Sequence, residues 1–252
     1  MRRTTLRYCL LGAAWALAVS LAAQSAAADS ACEQQNYESN RYIVCSFDLR
    51  AFSLRLFWRD EHGEPYGGFA RLPRNPAGDR AVFAMNAGMY KNDLSPVGLY
   101  IESSQTLMRA STAGGPGNFH MKPNGVFYFD NETAGVLTTE DFLSRRPKAA
   151  FATQSGPMLV IRGRIHPRFL KDSTSRKIRN GVGVRDGHTA IFAISEAPVT
   201  FWEFARLFRD GLKVKDALYL DGSISSLHAP GLNRSDRLFR MGPIVAAFKR
   251  ED

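Results

Sequence analysis

The chain is poor in the residues and spacings that announce a cofactor. Its 252 residues include three cysteines and five histidines. No HExxH, paired CxxC or EF-hand spacing occurs, so no locally encoded zinc or calcium site is expected. The glycine-rich loop at 114–118 is followed by neither GKS nor GKT, and no GxGxxG opens a helix, which argues against a nucleotide. Ser155 lacks the flanking glycines of a nucleophile elbow, so a serine-hydrolase reading has no support. Lys and Arg exceed Asp and Glu by 33 to 24. They are scattered, with local concentrations only at 71–80 and 171–179, which fits an anionic substrate better than a nucleic acid. No cofactor is expected and no metal ligand is assigned, although a divalent cation held by Asp and Asn residues distant in sequence stays open.

What the chain does contain reads as an exported globular protein. It is 44% hydrophobic and 23% charged, ordinary for a folded domain. Arg2, Arg3 and Arg7 precede an apolar stretch at 8–23, and Ala26-Ala27-Ala28 supplies small residues for a signal peptidase. About sixteen apolar residues fall short of the roughly 20 that span a bilayer. Residues 1–28 are therefore read as a cleaved signal peptide, by the general or the twin-arginine route, with 29–252 as the folded domain. No stable membrane anchor would remain, and the location would be periplasmic or secreted. Cleavage lowers the net charge from +9 by three arginines, to +6. It also removes Cys9 and leaves Cys32 and Cys45, an even pair in an oxidising compartment. A disulfide between them would pin the new N-terminus to the first strand, for about 3 kcal/mol.

Along the chain, strand patterns dominate. Residues 41–47 and 52–58 read as a hairpin, and breaker-rich 60–79 as a loop. Buried runs at 80–85 and 97–102 end in Asn86 and Glu102. Strands are expected at 126–129, in two pieces around 151–160, and at 243–248, with a hairpin at 180–196 turning on Asp186-Gly187. The 139–146 segment reads as a short helix. Residues 200–210 read as the best helix, with Thr200 and Glu203 spaced as a capping box and Gly211 as its stop. The expected fold is α+β: one mixed domain with a large, mostly antiparallel sheet system and few helices. Within it, KDALYLDGSISSLHAP at 215–230 stands out. A buried strand there ends in Asp221, followed by small hydroxyl residues that suit an anion or a sugar better than a core. The alternative is an Asx-turn in which Asp221 caps its own backbone.

Four turn motifs in this order, NAGMY at 86–90, QSGPMLV at 154–160, RNGVGV at 179–184 and LDGSISS at 220–226, resemble the phosphodiester glycosidase family. The animal representative of that family removes N-acetylglucosamine from a phosphodiester cap on glycans. The KPNGVFY run makes the chain look closest to a bacterial branch linked to exopolysaccharide biosynthesis. The resemblance implies a cleft lined by Asn86, Gly88, Gln154, Ser155, Gly156, Arg179, Asp221, Gly222, Ser225 and Ser226. It implies an exported hydrolase acting on a sugar-1-phosphodiester in an envelope or extracellular glycan. In that chemistry Asp221, with Glu102 second, would face the developing oxocarbenium ion. Arg179 and Lys122 would hold the phosphate, and Asn124 would join the sugar-binding amides. One departure stands out: the family often has a glycine run between the Asp and the Ser pair, where this chain has Gly222-Ser223-Ile224. That change favours the alternative, a non-catalytic polysaccharide-binding or exopolysaccharide-assembly protein using the same cleft.

Overall fold

The computed structural model describes residues 31–221 and 224–250, so the segment read as an export signal lies outside them. Ala31–Asp252 form one unit, and among the described residues three antiparallel sheets account for the strands. The first has seven, in the order Cys32–Tyr37, Asn40–Asp48, Thr189–Ser195, Asn180–Arg185, Ala217–Asp221, Met158–Ile161 and Arg164–Ile165. The second runs Arg234–Ser235, Leu227–Ala229, Phe83–Asn86, Ile244–Lys249 and Phe52–Phe57. The third runs Gln105–Met108, Tyr100–Glu102, Phe151–Ser155, Gly125–Phe129 and Ala134–Thr138. The architecture is α+β with little helix, as the strand patterns predict.

Side-chain alternation explains how the sheets stack. In Ala217–Asp221, Leu218 and Leu220 enter the main core with Val182, Phe192, Phe83, Met85 and Phe127 from all three sheets. Ala217 and Tyr219 point the other way, into a second cluster under helix α2 (Phe201–Arg206, preceded in the chain by the seven-residue helix α1, Thr139–Arg145). The α2 start is the expected capping box. Glu203 N–H donates to Thr200 Oγ1 at 3.1 Å, and Thr200 N–H donates to Glu203 Oε2 at 2.8 Å. In α1, Thr138 Oγ1 likewise accepts from Asp141 N–H at 3.1 Å, and Arg146 closes the helix in the left-handed conformation.

Two expectations need correction. Residues 41–47 and 52–58 form strands but not a hairpin: Asn40–Asp48 pairs in the first sheet and Phe52–Phe57 in the second. Alternation within each strand says which face is buried, whereas a corner at residues 48–51 decides the partner, and the two patterns look alike in sequence. The α2 helix does not stop at a glycine cap either. Leu207–Gly211 continue as a π-turn, with Leu212 N–H donating to Leu207 O at 2.8 Å. The wider turn keeps both Phe208 and Leu212 on the sheet. Gly211 lets the Tyr37 ring pack closely there, since a Cβ would stand 3.0 Å from it.

The expected disulfide joins Cys32 and Cys45, which face each other across the first two strands. The hairpin at 180–196 is also present. Asp186 and Gly187 both have positive φ, 57° and 74°, within the three-residue connection between the paired Arg185 and Thr189. No helix among the described residues is long and apolar enough to cross a bilayer.

Candidate active site

The three sheets meet at strand ends, and polar side chains tie them together there. Asn180 opens one strand directly opposite Asp221, which ends its neighbour. Asp221 N–H donates to Asn180 Oδ1 at 3.0 Å, and Asn180 Nδ2 donates to Asn86 Oδ1 at 3.0 Å and to Asn86 O at 3.1 Å. Ser226 N–H completes the link by donating to Asn86 Oδ1 at 2.9 Å. One buried amide thus joins the first sheet to the second. From the third sheet, Ser155 Oγ donates to Leu220 O at 2.7 Å, and Thr153 Oγ1 donates to Ala87 O at 3.0 Å. Ser225 Oγ donates to Asp221 O at 2.7 Å, folding the segment after the strand back onto it.

These bonds fix the orientation of Asn86. Its oxygen accepts twice, so its Nδ2 is the remaining group, and that nitrogen is buried without a partner among the described residues. A buried donor left unpaired costs about 1–3 kcal/mol, and such atoms mark places where an acceptor arrives with a ligand or water. Asn180 was not among the residues expected at the cleft. Its signal was its place at the start of RNGVGV, where a strand begins with an amide rather than an apolar side chain.

Arg179 precedes Asn180 and is buried. Its Nε donates to Val199 O at 2.9 Å, Nη2 to Ser175 O at 3.1 Å and Nη1 to the Tyr219 hydroxyl at 3.4 Å. The guanidinium lies 3.7 Å above the Phe201 ring. The capped end of α2 makes this pocket: Arg176 pairs with Glu203 at 2.7 Å, and Lys177 and Val199 exchange backbone hydrogen bonds. Among the described residues no carboxylate pairs with Arg179, and burial lowers its pKa. Asn180, the residue after Arg179, pairs with Asp221 across a bulge at Leu220, which brings both charges to the same strand end. The Tyr219 phenol responds to both. Burial raises its pKa, Arg179 lowers it and Asp221 raises it again.

The other residues singled out from the sequence divide into three groups. Gly88 packs on the third sheet, where a Cβ would stand 2.9 Å from Thr153 Oγ1. Gly156 lies so close to Asn124 that a Cβ there would fall 2.6 Å from the Asn124 Cβ. Asn124 Nδ2 donates to Phe119 O at 3.0 Å, and Lys122 Nζ donates to Thr112 O. Gln154 spends its whole amide inside the protein. Oε1 accepts from Leu99 N–H and Ser111 N–H, both at 2.9 Å, and Nε2 donates to Ser111 O at 2.7 Å and Thr139 Oγ1 at 3.1 Å. It staples two loops and the start of α1. Glu102 is not brought to the cluster. Tyr100 pairs with Thr153, so the strand runs away from Ser155 and Glu102 lies beyond Ala152, roughly 10–13 Å off by strand rise. There it accepts from the Tyr100 hydroxyl at 2.7 Å, and burial raises its pKa. Gly222 lies outside the described residues. Among those described, no three His, Cys, Asp or Glu side chains gather as a metal-binding group.

His166 stacks on Phe169 at 4.8 Å, and Phe169 on Phe201 at 4.8 Å, so the loop before Arg179 is built on a buried imidazole. Its Nδ1 accepts from Arg168 N–H at 3.2 Å. Burial pushes its pKa down to about 4, offset only in part by the Lys122 backbone. The unfolded chain takes up this proton near the ordinary value of 6.5, before the folded one does. Stability is therefore present above that value and is lost as pH falls toward 4. Between pH 7.5 and 5 the loss from this group is about 2 kcal/mol. Urea midpoints for the wild type should fall over that range more steeply than for His166→Gln. Parallel curves would remove His166 as the cause.

Comparison with known proteins agrees with this geometry. The phosphodiester glycosidase family model matches residues 79–236, more than half of the chain and the part that holds every motif above. The uncharacterized Escherichia coli (strain K12) protein YigE is 37% identical over 179 residues, covering 71% of this chain and 70% of YigE. The zebrafish N-acetylglucosamine-1-phosphodiester alpha-N-acetylglucosaminidase catalytic domain, solved auto-inhibited by its pro-peptide, superposes with a TM-score of 0.57 at 14% identity. That match covers 87% of this chain and 82% of that one. A hypothetical protein from Synechocystis superposes at 0.50 with 16% identity, covering 87% of this chain and 61% of its own. The two structures share the fold. With the family model spanning the three-sheet junction, the chain belongs to the phosphodiester glycosidase family.

Proposed function

We propose that the protein is an exported hydrolase that cleaves a sugar-1-phosphodiester in an envelope or extracellular glycan. One observation carries the reading. Asp221 ends an interior strand directly opposite Asn180, the residue that follows Arg179, a buried cation with no paired carboxylate among the described residues. A buried unpaired charge is costly, and an anionic substrate beside it would offset that cost. The disulfide and the basic N-terminal segment support export, to the periplasm or the outside.

In the reaction the bond from C1 to the phosphate oxygen breaks, the phosphate leaves as a monoester and water supplies the hydroxyl to C1. A phosphate is a weak base, so it needs positive charge more than a strong acid. Arg179 supplies that charge, partly through the Tyr219 phenol, with Lys122 at the rim. Asp221 stabilises the oxocarbenium-like transition state or acts as nucleophile or base. Asn86, Gly88, Asn124, Gly156, Gly222, Ser225 and Ser226 are assigned to the sugar-binding wall. Gln154 and Ser155, whose polar groups bond within the protein, are assigned to hold that wall from behind. Glu102 receives no role. An exopolysaccharide as the natural polymer fits the basic surface.

The test is hydrolysis of N-acetylglucosamine-1-phosphodiester and other glycosyl phosphodiesters, followed by release of free sugar. Turnover on at least one supports the hydrolase. The Ser223-Ile224 pair, in place of glycines, favours the second reading, a binding or assembly protein. No turnover on any substrate together with saturable binding of an anionic glycan would establish that reading instead.

A further inference from the structure

A cavity of about 450 Å³ opens on the outer face of the second sheet, against the small cluster of Ala81, Ala84 and Met241 and away from the main core. Arg80, Arg237 and Arg240 line it. Among the described residues none of the three pairs with a carboxylate, and the one acid in the lining, Asp236, is already bridged to Arg234 at 2.9 Å. His228, also in the lining, is held below its ordinary pKa first by burial and then by Arg237 and Arg80, so their positive charge converges on this cavity. Beside it stand Leu238, 88% exposed, and Phe239, 55% exposed, flanked by Arg237 and Arg240. Two adjacent large apolar side chains facing water need a reason. Interleaved with arginine they match the chemistry of an anionic bilayer surface: apolar groups enter the acyl boundary while cations meet phosphates.

The loop is also tied to the cleft. The Tyr90 hydroxyl donates to Arg240 O at 3.0 Å, and a Cβ on Gly242 would stand 2.6 Å from the Tyr90 Cβ. Tyr90 closes the turn that begins at Asn86, and after burial Asp221 is what raises its pKa. We propose that Arg237-Leu238-Phe239-Arg240 and the arginine-lined cavity behind it dock the protein reversibly on an anionic phospholipid surface, with a lipid phosphate among the arginines. Docking of this kind holds the rim of the cleft at the bilayer, where a lipid-linked or membrane-proximal glycan would be presented. The inference does not depend on the glycosidase reading.

Vesicle co-sedimentation tests it, with protein lacking residues 1–28, since Ala31–Asp252 form their own unit. Vesicles of phosphatidylcholine alone are compared with phosphatidylcholine and phosphatidylglycerol at about 70:30. The expected result is partitioning at least about tenfold stronger on the anionic vesicles, reduced roughly tenfold by L238S/F239S and by R237Q/R240Q. Hydrolysis of a soluble glycosyl phosphodiester by L238S/F239S should stay at the wild-type level, which separates docking from catalysis. No binding by the wild type overturns the proposal, and so does undiminished binding by folded L238S/F239S. Binding that dextran sulfate displaces, with no contribution from Leu238 and Phe239, would assign the arginines to a glycan and overturn it as well.

Discussion

Asp221→Asn is expected to lower kcat/KM on a glycosyl phosphodiester by on the order of 10³-fold or more while leaving the fold intact. The two halves of that statement rest on different atoms. One contact that anchors residue 221 to its neighbouring strand is made by its backbone N–H, which donates to Asn180 Oδ1 at 3.0 Å. Its carbonyl, which accepts from Ser225, is also backbone. Neither changes when the carboxylate becomes an amide, and the two side chains match in shape. What is lost is a negative charge near enough to raise the Tyr219 pKa, and in this mechanism that charge opposes the cation developing at C1. Turnover should therefore collapse in a protein that still folds, with the backbone ties to Asn180 and Ser225 retained. Equal kcat/KM in the two proteins would take Asp221 out of the mechanism and leave the Asx-turn as its whole role.

The Asn180 amide explains why position matters as much as charge. A carboxylate assists an oxocarbenium ion only if it is held in place before the reaction. Here the holding is done by a chain from Asp221 through Asn180 and Asn86 to Ser226, which crosses from one sheet to another. The flanking residues are small because three strand ends converge. Gly88 and Gly156 have no room for a Cβ against Thr153 and Asn124.

That convergence divides what could be read from the chain from what could not. Strand runs ending abruptly in a polar residue and then small ones were visible at Asn86, Ser155 and Asp221, because a period-two apolar pattern stops where the side chain no longer faces the core. The capping box of α2 and the turn at Asp186-Gly187 were visible for a similar reason, since each is set by local backbone chemistry. Sheet membership was hidden. Residues 41–47 and 52–58 read as partners, yet they join different sheets, because pairing depends on strands more than a hundred residues away. Glu102 misled in the same way: a carboxylate at a strand end looks like Asp221 until the pairing of Tyr100 with Thr153 shows which end of the sheet it occupies. Gln154 shows a further limit. A conspicuous amide in a distinctive motif reads as a ligand for sugar, and only its four partners reveal a staple. Asn180 carries no local signal of its role beyond its place at the start of RNGVGV, because its partners, residues 86 and 221, lie far away in sequence.

Arg179→Met is the substitution that separates the electrostatic role of the arginine from a structural one. Methionine keeps a long unbranched side chain beside Phe201 and Tyr219 but removes the charge and its donors. The partners left behind are largely provided for. Val199 O still accepts from Lys177 N–H at 3.1 Å, and the Ser175 carbonyl belongs to an exposed loop residue. Against the lost hydrogen bonds stands the relief of a buried cation with no paired carboxylate among the described residues. Contributions of opposite sign and similar size leave unfolding free energy within about 1 kcal/mol of wild type. Activity should respond differently. With the positive charge gone, the departing phosphate loses its stabilisation, and kcat should fall by on the order of 10²-fold, as when a single preorganised donor is removed from a developing anion. The loss should shrink for substrates whose phosphate bears a more electron-withdrawing ester group, because that less basic phosphate leaves with less help from the protein. A uniform loss across such a series, or a drop of several kcal/mol in stability with kcat preserved, would make Arg179 a framework residue and return the phosphate to Lys122.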